Sequence, residues 1–466
     1  MGPRDLKFGG GVSDTVLNPA VLILILIAGA IICFAPRQKA LAAFLAAGIL
    51  IPIDQVLVLA GVHFPMLRVL AIFGLVRIFR EKHSSKTWLF VGGFNKLDGA
   101  VILLAVTTAL NGIILFREFG AVVYQAGTLC TALGDYLLLR LLIRDEEDIV
   151  HGIRVLAWTT AFCAVVMTYE RTTGENPYAL LHGARAASIA HLAERADRFR
   201  AQGPFGHSIL AGTFGAVVVP LFFALWWKDR KYRRLAIVGI VAGTAMTIAS
   251  DSSTPILGYA AGLLALFLWP ARRWMGHLRM TIVVVLLVLQ VVMKHPVWHL
   301  IIDIDITGGS SSWHRYMLID QCIHHFSDWC LFGVKNTGTW GWDMWDTANQ
   351  YVATCDNSGL IPFIFLISIL VYGFKFIGRA TRAAGKDKAG AQFMWALGAA
   401  LFANVVAFLG ISYWDQTQVG WYALLAMISA GLVARREKRP KPRPVGAPDG
   451  SVSASEYAEQ PAYVGS

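Results

Sequence analysis

RAQGPFGHSILAGTFGAVVVPLFFALWWKDRKYRR, residues 200–234, decides the class of the fold. From Ser208 to Trp227 the stretch carries no charge, and from Lys228 to Arg234 it is dominated by Lys and Arg. Roughly 20 mostly apolar residues carry a helix across a bilayer core about 30 Å thick, because only a helix satisfies its own backbone polar groups in hydrocarbon. Short loops rich in Lys and Arg are retained on the cytoplasmic side. The stretch therefore reads as a membrane span that opens at a polar outer edge and closes at a basic inner one.

The same pattern extends in both directions. Apolar candidates run over roughly 19–35, 41–62, 64–79, 97–116, 119–143, 153–170, 205–227, 234–250, 255–270, 279–297, 359–378, 392–412 and 417–434, which predicts about 11 to 14 transmembrane helices. Of the 466 residues 56% are apolar and 15% charged, with a mean hydropathy of +0.55. Soluble domains carry about 25% charged residues, so a soluble globular protein is excluded. The expected fold is all-α, a polytopic membrane protein with one domain over 1–434. From about Lys438 the chain is Pro-, Gly- and Ser-rich, and 435–466 is expected to be a disordered cytoplasmic tail.

The net charge of +11 sits in four loop clusters, KDRKYRR (228–234), ARRW with Arg279, GRATRAAGKDK (378–388) and ARREKRPKPR (434–443). All four fall on one face if the intervening segments cross as predicted, so the charge sets orientation and does not point to nucleic acid. Two long segments, 171–204 and 296–358, are then left on the outer face. The first holds Arg171, Arg185, Arg195, Arg198 and Arg200, basic residues on the side where short loops usually lack them. A solvated amphipathic helix over ARAASIAHLAERADRFR accounts for the pattern, and so does a site that holds a phosphate-bearing substrate.

The second segment contains Trp298, Trp313, Trp329, Trp340, Trp342 and Trp345 beside four histidines, with His295 just before it, and seven aspartates. An interfacial aromatic belt explains part of this density. Indole rings that stack on sugars while Asp and His groups bond hydroxyls explain the rest. Cys322, Cys330 and Cys355 share the segment, and Cys330–Cys355 is the expected disulfide because Cys322 and Cys330 lie two helical turns apart. No Cys/His spacing suggests a metal site. Charges inside predicted spans, Asp54, Asp135 with Arg140, and Arg68 with Arg77, would also suit a transporter, but the chemistry concentrates in the outer segments and no internal repeat is visible.

Arg200-Ala-Gln-Gly203-Pro-Phe205-Gly206-His207 resembles the R-x-x-G-x-F-x-H signature of the O-antigen ligase and O-antigen or exopolysaccharide polymerase superfamily of bacterial membrane glycosyltransferases. TIASDSSTP (247–255) is similar to that family's Ser-rich element, WHRYMLIDQCIHHFSDWCLFGV (313–334) to its Arg-containing loop helix, and Asp346-Thr347-Ala348-Asn349-Gln350-Tyr351 to the close of its long loop. The resemblance covers about 198–380. Three departures stand out. His207-Ser208-Ile209 replaces the family's His-Pro-Asn, Asp251-Ser252-Ser253-Thr254 lacks the Ser-Arg-Gly of ligases, and Ala348-Asn349 replaces the His-Asn pair whose His is the ligases' proposed base.

The resemblance implies a GT-C-like architecture with a long periplasmic loop, in the inner membrane, with the C-terminus cytoplasmic. It implies an enzyme that needs no metal or other cofactor and joins undecaprenyl-pyrophosphate-linked repeat units into exopolysaccharide or O-antigen. The alternative is ligation of such a glycan to lipid A core. Its partners would be the lipid-linked glycan, the bilayer and a polysaccharide chain-length regulator. Arg200, Arg315 and Arg198 would bind pyrophosphate; Asp346, beside the substituted position, or His314 would serve as base; His207, Asn349, Tyr351, Trp313, Trp342 and Trp345 would contact substrate. Structural roles compete at two of these positions: Arg315 could pair with Asp320, and Asp346 could cap a helix.

Overall fold

A computed structural model describes residues 15–84, 89–181, 194–195, 198–303 and 311–437. Its long helices are α1 (Pro19–Phe34), α2 (Arg37–Leu50), α3 (Met66–Ser84), α4 (Lys96–Phe116), α5 (Phe119–Leu142), α6 (Glu146–Thr173), α7 (Ser208–Lys228), α8 (Arg233–Ala249), α9 (Ser253–Phe267) and α10 (Met275–Val292). After these come α11 (Ser311–His324), α12 (Gln350–Ser358), α13 (Leu360–Ala383), α14 (Lys388–Ala407) and α15 (Thr417–Glu437). Among the described residues nine helical stretches are long and apolar enough to cross a membrane. The helices Pro19–Phe34 and Ser253–Phe267 are apolar but shorter.

The predicted span over 41–62 ends early. Ile51 precedes Pro52, whose ring disfavours helix in the residue before it, so α2 stops at Leu50. The chain then forms an antiparallel hairpin, β1 (Val56–Leu59) with β2 (Val62–Pro65), turning through left-handed Ala60 (φ 50°) and Gly61 (φ 77°). Asp54 therefore lies in this connection and not inside a span. The helix predicted to reach Arg200 also ends differently: β3 (Glu194–Arg195) pairs with β4 (Arg198–Phe199). Residues 182–193 and 196–197 lie outside the described set.

One end of the bundle gathers the basic clusters. Arg435 at the end of α15 donates to Glu146 (3.0 Å) at the start of α6 and to Asp387 (2.6 Å) between α13 and α14, and Lys228 at the end of α7 pairs with the same Glu146. Arg37 bridges Asp145 and Asp148 there, and Arg144 reaches Glu81. Arg435, expected in a disordered tail, is thus buried, and the helix runs on to Glu437. Residues 438–466, expected to be disordered, lie outside the described residues. The far end collects the hairpin and the described residues of the connections at 174–181, 198–207, 250–252, 293–303, 325–349 and 408–416.

α7 is the most enclosed of the crossing helices and packs against α8, α9 and α14. Its contact with α8 is close because a Cβ at Gly215 would meet the Gly243 carbonyl oxygen at 2.9 Å, and one at Gly243 the Gly215 oxygen at 2.7 Å. Small residues let two helix backbones approach in this way. α10 stands apart, with no buried residue. The charges inside the predicted spans find partners on other elements. Arg140 binds Asp98 of α4 through Nε (2.9 Å) and Nη2 (3.2 Å), and Tyr136 donates to the same carboxylate. Five residues of helix rotate Asp135 about 140° away from Arg140, so the two cannot meet. Arg77 caps α1 by donating to the Ile32 and Ala35 carbonyls, and Arg68 donates to the His63 carbonyl.

Candidate active site

The far end brings together segments that are distant in the chain. α8 ends at Ala249, the chain turns through Asp251 in the left-handed region (φ 46°), and α9 begins at Ser253 with Ser252 in extended conformation at its N-cap. The first N–H groups of a helix have no partner within it and carry partial positive charge, so this corner favours anions.

Two arginines converge on it. Arg200 donates from Nη2 to Ser252 Oγ at 2.6 Å, and that hydroxyl donates on to the Ser250 carbonyl at 2.9 Å. Arg315, from α11, donates from Nη2 to Ser253 Oγ at 3.0 Å and Thr254 Oγ1 at 2.9 Å. Guanidinium groups from both predicted outer segments thus reach consecutive hydroxyl-bearing residues at the start of one helix. Asp320, the competing partner for Arg315, accepts instead from Trp298 Nε1 at 3.1 Å. The side chain of Arg198 lies outside the described set.

Buried side chains hold the Arg200 loop. Glu170 of α6 accepts from the backbone N–H groups of Gln202 (3.0 Å) and Gly203 (2.7 Å). Asn176 donates to the Gly203 carbonyl, Gln416 to the Pro204 carbonyl, and Asp415 accepts from Gly206 N–H. His207 caps α7, its Nδ1 accepting from Ile209 N–H at 3.1 Å. Burial, aided by the Arg200 charge, pulls His207 down to about 4. The ring is therefore neutral near pH 7 with its proton on Nε2, a donor to any ligand beside it.

Near Arg315, His314 Nε2 lies 3.0 Å from the Asp343 carbonyl oxygen. A carbonyl only accepts, so Nε2 bears the proton and Nδ1 is the basic nitrogen of the neutral ring. Asp346 belongs to the same turn, its N–H donating to Asp343 O at 3.3 Å. Partial burial raises its carboxyl, the facing His314 lowers it, and Asp343 raises it, for a net upward shift. The two candidate bases are thus neighbours. Trp313, Trp342 and Trp345 are exposed around them.

Asn349 and Tyr351 serve the scaffold. Asn349 is buried at the N-cap of α12, accepting from Tyr351 and Val352 N–H groups and donating to the Leu409 carbonyl. Tyr351 donates its hydroxyl to Val405 O. The helix cap considered for Asp346 belongs to Asn349 instead. The expected Cys330–Cys355 disulfide is absent: both are free thiols, and Cys355 lies in one buried core with Cys322, against which Cys330 also packs.

A further participant escaped sequence reasoning, the connection FLGISYWDQ (408–416). Besides Asp415 and Gln416, it supplies Phe408 O to Gln350 N–H and Gly410 O to Thr254 Oγ1. A Cβ at Gly410 would lie 2.4 Å from Thr254 Oγ1 and 3.2 Å from Arg315 Nε, so only glycine lets this backbone seat the guanidinium. Its Asp-Gln pair at a predicted span edge was the available signal. Among the described residues no three His, Cys, Asp or Glu side chains gather as a metal site. Comparison with known proteins finds no matching family model and no matching curated protein.

Proposed function

We propose that the chain is a metal-independent membrane glycosyltransferase that polymerises undecaprenyl-pyrophosphate-linked oligosaccharide repeats into exopolysaccharide or O-antigen, working at the periplasmic face of the bacterial inner membrane. The observation that carries this reading is the convergence of Arg200 and Arg315 on Ser252, Ser253 and Thr254 at the N-terminus of α9. A hydroxyl oxygen of the acceptor sugar attacks the anomeric carbon of the donor, and the bond from that carbon to the pyrophosphate oxygen breaks. Negative charge grows on the departing pyrophosphate, and two guanidinium groups with the helix N-terminus stabilise it there. The hydroxyl proton passes to the His314–Asp346 pair.

The basic end lies in the cytoplasm by the positive-inside rule, which puts the arginine corner outside. A mostly apolar groove of about 330 Å³ along α13, lined by Phe363, Ile364, Ile367, Ser368, Val371 and Tyr372 and closed by Lys375, suits a polyprenyl tail that must stay in hydrocarbon. Its Phe363 end packs against the core of the segment that carries Arg315. The test is the lipid-linked intermediate of a deletion strain. Accumulated single repeat units support a polymerase; accumulated full-length lipid-linked polymer indicates a ligase; normal surface glycan overturns both readings.

A further inference from the structure

At the basic end, the start of α6, the end of α7 and the short helical turn after it, Arg230–Tyr232, line a cavity of about 420 Å³. Its charged lining balances, with Arg154, Lys228 and Lys231 against Glu146, Glu147 and Asp229. Glu146 is tied to Lys228 and Arg435, and Asp229 lies 3.7 Å from Lys231 Nζ. Glu147 and Arg154 are left, one carboxylate and one guanidinium, both exposed and without an ion-pair partner among the described residues. The Arg154 guanidinium and Lys231 Nζ each approach the Tyr232 ring, 5.6 and 4.8 Å from its centroid, so two cations gather around that ring. His151 Nε2 lies 3.0 Å from the Gln38 carbonyl oxygen; in the neutral ring it donates there and Nδ1 remains an acceptor.

The helix gives this cavity a direction. Glu147, His151 and Arg154 share one face of α6, and the face continues towards the middle of the span through Trp158, Phe162 and Val165, at 63%, 51% and 71% exposure. Glu147 and Arg154 stand about 10 Å apart along the axis, and helical side chains lean towards the N-terminus, which brings the Arg154 guanidinium up towards the level of Glu147. Trp226 and Trp227, in the last turn of α7, suit the level of the membrane interface. From the basic end inward the order is carboxylate, guanidinium, exposed apolar stripe. In a phospholipid with an ethanolamine headgroup the order is ammonium, phosphate, acyl chain.

We infer that this cavity holds the headgroup of a zwitterionic, ethanolamine-bearing phospholipid. Its phosphate lies against Arg154 and Lys231, its ammonium donates to Glu147 and His151 Nδ1, and its acyl chains run along Trp158, Phe162 and Val165. A primary ammonium brings three N–H donors and a trimethylammonium none, so the site prefers ethanolamine to choline. Glu147 offers no partner to a purely anionic headgroup and disfavours it. The inference requires only that the chain crosses a bilayer, and it stands apart from the glycosyltransferase reading.

The experiment strips lipid from the full chain in detergent, adds equal amounts of dioleoyl phosphatidylethanolamine, phosphatidylglycerol and phosphatidylcholine, and reads bound lipid by native mass spectrometry. The expected result is one phosphatidylethanolamine per chain, favoured about tenfold or more over the other two. Arg154→Ala should weaken that binding about tenfold, and Glu147→Gln should erase the preference over phosphatidylglycerol while binding persists. Both side chains are exposed, so the variants should melt with the wild type in lipid-free detergent; if Arg154→Ala does not, the Glu147→Gln arm decides. Phosphatidylglycerol or phosphatidylcholine held as well as phosphatidylethanolamine overturns the headgroup assignment. Wild-type binding in both variants places the lipid elsewhere and overturns the site. Displacement of the lipid by an equal concentration of O-phosphoethanolamine makes the ligand a soluble phosphate ester and overturns the lipid.

Discussion

At the scale of single residues, Arg315 offers a planar fork to Ser253 and Thr254, 3.0 and 2.9 Å away. Lysine would bring one compact ammonium to the same corner and lose that geometry. Arg315→Ala should abolish polymer formation in cells while the protein stays in the membrane, and Arg315→Lys should restore no more than about a tenth. Full activity in the lysine variant would mean that charge alone matters. His207 makes a prediction about acid. Its pKa falls from about 6.5 in the unfolded chain to about 4 in the fold, so the unfolded state binds the extra proton between those values. Its contribution is complete above about pH 6.5 and is lost as pH falls towards 4, at up to about 1.4 kcal/mol per pH unit. Thermal unfolding in detergent at pH 7 and pH 5 should show a larger drop for wild type than for His207→Asn, which keeps a capping acceptor but does not titrate. Equal drops would place the acid sensitivity elsewhere.

At the scale of elements, the site depends on short connections that seat helix ends against one another. Gly410→Ala forces Thr254 or the 408–416 backbone to move, because the new methyl would sit 2.4 Å from Thr254 Oγ1. The expected cost is about 1–3 kcal/mol with severe loss of activity. Gly99→Ala, whose Cβ would meet nothing within 4 Å in α4, is the control and should be neutral or slightly stabilising. A second element-level test concerns Asp98 and Arg140, at 2% and 1% side-chain exposure. Arg140→Ala strands a buried carboxylate and should cost about 3–5 kcal/mol, read as a fall in melting temperature. Asp98→Asn in the same chain should recover part of that loss, since the uncompensated charge is gone.

At the scale of the whole molecule, the bundle has a basic end tied by Glu146, Arg435, Asp387 and Lys228, and a far end that carries the arginine corner. In the proposed orientation, reporter fusions within 229–232 should behave as cytoplasmic and fusions near 412 as periplasmic. The reverse pattern would separate the site from a periplasmic glycan and end the polymerase reading. α10, without a buried residue, exposes its surface all round, as lipid contact permits.

The sequence by itself determined the membrane-spanning class, most of the apolar helices and the single face of the basic clusters. Those follow from local content: runs of apolar residues long enough for a bilayer, broken by Lys and Arg. It also singled out Arg200 and Arg315, which lie in motifs that can be read along the chain. Only the tertiary structure decided what these residues meet. The corner on Ser252 to Thr254 joins elements far apart in sequence, and no spacing predicts that Gly410 must be bare to seat Arg315. Asp135 and Arg140 stand out in the sequence as charges inside one span, but only the packing shows that Arg140's partner is Asp98 from another helix. Asn349 resembled a substrate ligand by its motif, yet its amide is spent on the α12 cap and Leu409, a role set by which backbone happens to end beside it. Cysteine pairing has the same character. Spacing excludes a bridge within one helix, but only the packing of α11 on α12 brings Cys322 and Cys355 into one buried core, with Cys330 packed at its edge.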